Sequence, residues 1–257
     1  MKLNSIYRKL ATLILGISSL NASAALVLAG SGNTVDFYYD DAFWSNVTAN
    51  VANDRITFAF QSSLQAGATD GNVAYQESPP SSGGAAVVVV AKSGFSFAGM
   101  PLGLVAGVAG SYALATSGGT ASAYSGASVF EGSFAGGVFS ATHLDPLVEV
   151  LADAAAVSDD ASPFSGAFGV DAIAPAGSDL TGPALGLLDV FYGVFASQDG
   201  TGDSSVALDS VSYAISASAM STVPEPGSLA LLFTALGLAT WVGRGQKGRI
   251  GRSGTAA

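Results

Sequence analysis

Arg55-Ile56-Thr57-Phe58-Ala59-Phe60 alternates with period two, so Ile56, Phe58 and Phe60 share one face and Arg55, Thr57 and Ala59 the other. That is the pattern of a strand with one face buried. Val35-Asp36-Phe37-Tyr38-Tyr39 and Val211-Ser212-Tyr213-Ala214-Ile215 behave alike. Ala85 to Ala91 is instead a continuous apolar run with four valines, as expected of a central strand covered on both faces. Leu187 to Ala196 is a further strand. Between these runs lie Ser78 to Gly84, Ser117-Gly118-Gly119 and Asp199-Gly200-Thr201-Gly202-Asp203, which are loops by composition. The set predicts a mainly β fold, an antiparallel β-sandwich of jelly-roll-like form.

One segment departs from period two. Leu144, Leu147, Val148, Leu151, Ala154 and Ala155 recur at three and four, Asp145 suits a cap and Pro146 the first helical turn. The spacing predicts a short helix over 146–157, although Val148 and Val150 would equally open a strand. Gly94 to Gly137 is glycine-rich, yet aromatic residues spaced through it (Phe95, Phe97, Tyr112, Tyr124, Phe130, Phe134) argue for short strands. No internal repeat of fixed period is present.

The chain has 257 residues, 19 acidic against 9 basic side chains, one histidine, no cysteine and 33 glycines. Disulfides, thiolate metal sites and a cysteine nucleophile are therefore excluded. A net charge of −10 disfavours nucleic acid as a partner, because binding it needs clustered Lys and Arg. Seven of the nine basic residues sit at the two ends, leaving only Arg55 and Lys92 between Ala25 and Val223, a segment near −16.

The first end carries Lys2, Arg8 and Lys9, an uncharged run from Leu10 to Leu20, and Ala22-Ser23-Ala24 before Ala25. This describes a signal peptide over 1–24, read by the Sec translocon and cleaved after Ala24. At the other end Gly227 to Val242 is uncharged and is followed by Arg244, Lys247, Arg249 and Arg252. As a helix it would cover about 24 Å and span a membrane with Trp241 at the interface and Arg244 snorkelling. The basic tail, 243–257, places that end in the cytoplasm. Val223-Pro224-Glu225-Pro226 stands just before it, held extended by its two prolines. The chain thus divides into a signal peptide, an exported acidic domain over 25–220 and a C-terminal signal over 221–257.

Tetrapeptide, apolar helix and basic tail, in this order behind a signal peptide, resemble the PEP-CTERM sorting signal. The resemblance covers Val223 to about Arg252. It implies recognition by an exosortase, a membrane enzyme of Gram-negative bacteria that make exopolysaccharide, with Val223, Pro224, Glu225 and Pro226 as the sorting and processing motif. Leu208 to Ser212 is similar to the last strand of many sandwich domains in such proteins. The implied route is an inner-membrane intermediate followed by the cell surface or matrix.

Within the exported segment no catalytic constellation is marked. His143 is the sole histidine and no G-x-S-x-G occurs, so a serine triad has no basis. Asp40-Asp41, Asp159-Asp160 and above all Asp199 with Asp203 offer loop carboxylates for calcium, which would let so acidic a chain associate with acidic polysaccharide. Without it no cofactor is expected. Phe37, Tyr38, Tyr39, Phe43 and Trp44 would suit a sugar-stacking platform, but alternation sends them to both faces and reads them mainly as core. The expectation is a non-enzymatic surface or matrix protein with a structural or adhesive role in an exopolysaccharide or biofilm. The alternative is a membrane-tethered carbohydrate-binding module or carbohydrate-active enzyme.

Overall fold

The computed structural model describes residues 26–81, 84–98, 104–114, 118–157 and 182–220, and residues 164–173 by their backbone. Every regular element among them is a strand: β1 (Val27–Ser31), β2 (Val35–Tyr39), β3 (Val47–Ala52), β4 (Arg55–Thr69), β5 (Val73–Glu77), β6 (Val87–Ala91), β7 (Phe95–Ser96), β8 (Leu104–Leu114), β9 (Gly119–Ala135), β10 (Val138–Ala141), β11 (Val148–Val157), β12 (Phe164–Ile173), β13 (Ala184–Gln198), β14 (Asp203–Ile215) and β15 (Ser218–Ala219). All pairings are antiparallel. The larger sheet runs β1-β2-β6-β13-β9-β10, with β5 also on β13 and β11 also on β9. The smaller runs β12-β8-β14-β4-β3, and β7 pairs β15 apart from both. The chain separates into a unit ending at Ala219 and a second starting at Met220, and every one of these strands belongs to the first.

The alternations seen in sequence become the common core of the two sheets. Val35, Phe37, Val87 and Val89 from the larger sheet meet Ile56, Phe58, Val211, Tyr213 and Ile215 from the smaller, all buried. Trp44, in the turn after β2, stacks on Phe58 at 3.8 Å with planes 2° apart and lies 5.3 Å from Tyr192. Its indole N–H donates to the Ala86 carbonyl at 3.1 Å, so its one polar atom is satisfied where it is buried. The apolar run of β6 is covered on both faces. Val87 and Val89 point to the common core, while Val88 and Val90 join Leu26, Tyr38, Ala85, Phe134, Phe139, Ala184 and Leu188 in a second cluster outside it. Phe37 and Tyr39 accordingly face one side and Tyr38 the other.

Polar groups buried between the sheets are paired. The Tyr213 hydroxyl meets Ser125 Oγ at 2.8 Å, and Ser204 Oγ donates to Gln198 Oε1 at 2.6 Å. Burial pushes the Tyr213 phenol far above its ordinary pKa, so it stays neutral. At one end Asp54, buried in the β3–β4 turn at φ 58°, accepts from Thr34 N at 2.8 Å and Thr34 Oγ1 at 2.9 Å. Thr34 Oγ1 in turn accepts from Ala217 N at 2.9 Å. This clasp joins the β1–β2 turn, the β3–β4 turn and the chain just beyond β14.

The helix expected over 146–157 is a strand. β11 pairs with β9 through ten consecutive positions, from Val148↔Val129 to Val157↔Thr120. Val150, Ala152 and Ala154 are buried inward while Glu149, Leu151, Asp153 and Ala155 point out. Alanine-rich sequence fits both periods, and the edge of β9 offers a full ladder of backbone partners that an isolated helix would not use. The short strands expected between Gly94 and Gly137 are mainly two long ones, β8 and β9, of 11 and 17 residues. Among the described residues no helix is long and apolar enough to cross a membrane; the span expected over 227–242 lies outside them.

Candidate functional site

Several expected sites lie outside the described residues: Ala22, Ala24 and Ala25 at the signal-peptide junction, Val223, Pro224, Glu225 and Pro226 of the sorting motif, Trp241, Arg244, Lys247, Arg249 and Arg252, and the pair Asp159-Asp160. Of the rest, Asp199 and Asp203 flank an exposed turn between β13 and β14. The nearby Asp70 carboxylate already accepts the Gly202 N–H at 3.0 Å. Asp40 likewise caps its own turn, accepting from Ala42 N at 2.9 Å. Among the described residues no three His, Asp or Glu side chains converge in a way that would hold a metal ion. His143 is exposed in the segment between β10 and β11.

In the aromatic cluster at 37–44, Phe37 and Trp44 are buried, while Tyr38, Tyr39 and Phe43 are half-buried against the two apolar clusters. A second group of aromatic residues, Tyr75, Tyr124, Phe191 and Phe195, lies on the outward face of the larger sheet where β11, β9, β13 and β5 run side by side, and of these Tyr75 is exposed. The registers fix rows across it. Leu151 lies beside Gly126 and Phe191; Asp153 beside Tyr124, Gly193 and Glu77; Ala155 beside Ser122, Phe195 and Tyr75; Val157 beside Thr120, Ser197 and Val73. Glu149 and Ser128 complete the top with Leu188. At ordinary strand spacings the patch measures about 27 Å by about 14 Å. Tyr75 is 74% exposed, Val73 62%, Val157 58% and Leu151 55%, while Tyr124, Phe191 and Phe195 are half-buried.

Two local devices build this face. The first is a bulge in β13, where Leu188 pairs with Ser128 but Phe191, three residues on, pairs with Gly126. One extra residue reverses the alternation, so Leu187 and Val190 both point inward while Leu188 and Phe191 both point outward. Asp189 takes up the distortion at φ 50°. Ser78 and Ser81 brace the bulge from outside, their hydroxyl oxygens accepting from Tyr192 N at 3.0 Å and Val190 N at 3.1 Å.

The second device is glycine beneath the rings. A Cβ on Gly126 would sit 2.4 Å from Phe191 Cζ, and one on Gly193 would sit 2.6 Å from the Tyr124 hydroxyl. Each ring therefore lies across a neighbouring strand instead of standing away from the sheet. Tyr124 and Phe191 have centroids 6.3 Å apart and planes inclined at 55°, forming two facets of a shallow step.

Carboxylates border the rings. Burial raises the Asp153 pKa, and burial, then the Glu149 charge, raises that of Asp189. No lysine or arginine stands among the described residues of this face. The corresponding face of the smaller sheet is of another kind. Rows such as Thr48, Ala59, Ser210 and Ala109, or Asn50, Thr57, Ser212 and Gly107, contain only small or polar side chains. Arg55 donates to Ser212 Oγ there at 2.8 Å.

Among the described residues, pairing and core define a mainly β protein of antiparallel sheets. No family model matches the chain, and no curated protein does. Among solved structures, it is similar at 8% identity to a selenomethionine-labelled α-amino acid ester hydrolase, covering 57% of this chain and 25% of that one, with a TM-score of 0.19. It is similar at 9% identity to TmCBM61 in complex with β-1,4-galactotriose, covering 74% and 89%, with a TM-score of 0.18. The chain thus spans a quarter of the first structure and most of the second. Scores this low give no support for a shared fold.

Proposed function

We propose that this is an exported, non-enzymatic surface or matrix protein with an adhesive role, contacting polysaccharide through the outward face of its larger sheet. The observation that carries the reading is the open step formed by Tyr75, Phe195, Tyr124 and Phe191. Half-buried and exposed rings offer apolar area to the C–H faces of sugars, and Ser122, Ser128, Thr120 and Ser197 surround them with hydroxyls for hydrogen bonds. Export through the Sec translocon and sorting by an exosortase at Val223–Pro226 would bring the sandwich to such a polymer. The segment over 227–242 would hold it at the inner membrane until then. Retention of the full chain on the producing cell's exopolysaccharide, with and without the rings, tests the adhesive role. Mass spectrometry of the mature C-terminus tests the sorting: an intact peptide through Arg252 would refute processing. Calcium-assisted association remains an expectation, to be read from whether a chelator releases the protein.

A second reading, a carbohydrate-active enzyme on the same face, draws on one observation. Asp189 has a pKa raised by burial and then by the Glu149 charge, and a pair of neighbouring carboxyl groups is what acid-base cleavage of a glycosidic bond uses. Turnover of glycan that disappears in Asp189→Asn would establish it.

A further inference from the structure

Resting on the adhesive reading above, we infer that the stepped face of the larger sheet takes an uncharged glycan, held as a single soluble chain. Charge decides the first part. Glu77, Glu149, Asp153 and Asp189 surround the rings, and no described cation on the face offsets them. A polyuronate would meet four carboxylates at close quarters, where the protein surface weakens screening. A neutral chain meets hydrogen-bond acceptors and ring faces. Shape decides the second part. Rings inclined at 55° would touch a flat crystalline surface with only one facet, whereas successive sugars of a free chain turn to meet both.

A second copy of the protein is the weaker occupant. The face has a footprint of about 400 Å², half of the roughly 800 Å² that each partner contributes to a standard interface. Two copies face to face would also oppose carboxylate to carboxylate. The side chains run obliquely from Tyr75 on β5 through Phe195 on β13 and Tyr124 on β9 back to Phe191, a span of several sugars, so a polymer is favoured over a monosaccharide.

Affinity electrophoresis of the full chain in mild detergent tests this. The gels would contain hydroxyethylcellulose, soluble starch or alginate, each with calcium and with chelator, alongside a pull-down on microcrystalline cellulose. The expected result is retardation by a neutral soluble glucan and none by alginate. Phe191→Ala and Tyr124→Ala should weaken it on the order of tenfold or more. Tyr75→Ala, at the most exposed ring, should weaken it without threatening the fold. Ring-dependent retardation by alginate, in either condition, would overturn the inference and leave the adhesive reading standing. Binding confined to crystalline cellulose would overturn the single-chain part. No retardation in any gel, or retardation that ignores all three substitutions, would overturn both readings. Self-association on sedimentation that Tyr75→Ala abolishes would replace them with a homotypic contact.

Discussion

The two outward faces of this sandwich obey the same alternation and share the same core, yet they differ in almost every side chain. Across β11, β9, β13 and β5 of the larger sheet the outward positions carry four aromatic rings and a border of carboxylates. On the described strands of the smaller sheet they carry mainly small or polar side chains, with Val105 beside Ala214 and Arg55 tied to Ser212. Folding needs only that outward residues tolerate water, and the smaller sheet shows how little that requires. Rings and a bulge on the larger one go beyond it. Glycine makes the difference concrete: Gly126 and Gly193 lie under rings, whereas a Cβ on Gly67, outward on β4, would meet only a backbone oxygen at 3.9 Å.

The largest way to break the comparison is to remove rings from one face and hydroxyls from the other. Tyr124→Ala with Phe191→Ala should lower glycan affinity on the order of tenfold or more, while Thr48→Ala with Thr57→Ala should leave it unchanged. Equal losses from both pairs, measured by affinity electrophoresis, would erase the distinction between the faces. Next come the glycines. Gly126→Ala should lift the Phe191 ring and cost roughly 1–3 kcal/mol in denaturant unfolding, with binding impaired. Gly67→Ala should be neutral or stabilising by up to about 1 kcal/mol.

A smaller effect probes the layer beneath the rings. Tyr213→Phe removes the 2.8 Å bond to Ser125, whose hydroxyl also donates to the Phe191 carbonyl at 3.2 Å. The expected cost is about 1 kcal/mol, with affinity nearly intact because Ser125 keeps its contact to β13 at Phe191. The smallest concerns pH. A folded pKa above the ordinary 3.8 means that ionised Asp189 opposes folding at neutral pH. That penalty fades as pH falls through the raised value toward 3.8. Asp189→Asn should therefore stabilise slightly at pH 7 and lose its advantage in acid, and asparagine also tolerates the positive φ. A variant less stable at pH 7 would show that the carboxylate holds the bulge.

Much of the sandwich was legible in residues whose chemistry allows one answer. Four valines in β6 announced a strand covered twice, and Phe37, Tyr38 and Tyr39 divided between faces as spacing required. Alanine announced nothing of the kind, which is why Val148–Val157 read as helix until an unpaired edge claimed it. The aromatic face was hidden for two reasons. Its rings come from three strands that only register brings together. And strict alternation from Leu187 sends Phe191 and Phe195 inward; only the bulge at Leu188 to Phe191 turns them out. Asp189, an acidic residue within an apolar run, was the one local sign of it.

The Asp54–Thr34 clasp carries a mechanical consequence. The sandwich's last long strand, β14, lies in the interior of its sheet, laddered on one side to β4 and on the other to β8. Traction from beyond Ala219 would enter along this strand and load both ladders in shear, so that many hydrogen bonds must fail together. Between Ala219 and those ladders stand the β15–β7 pairing and the Ala217 to Thr34 contact, which ties the stretch beyond β14 to the first hairpin. The fold is therefore braced where the chain leaves its last long strand.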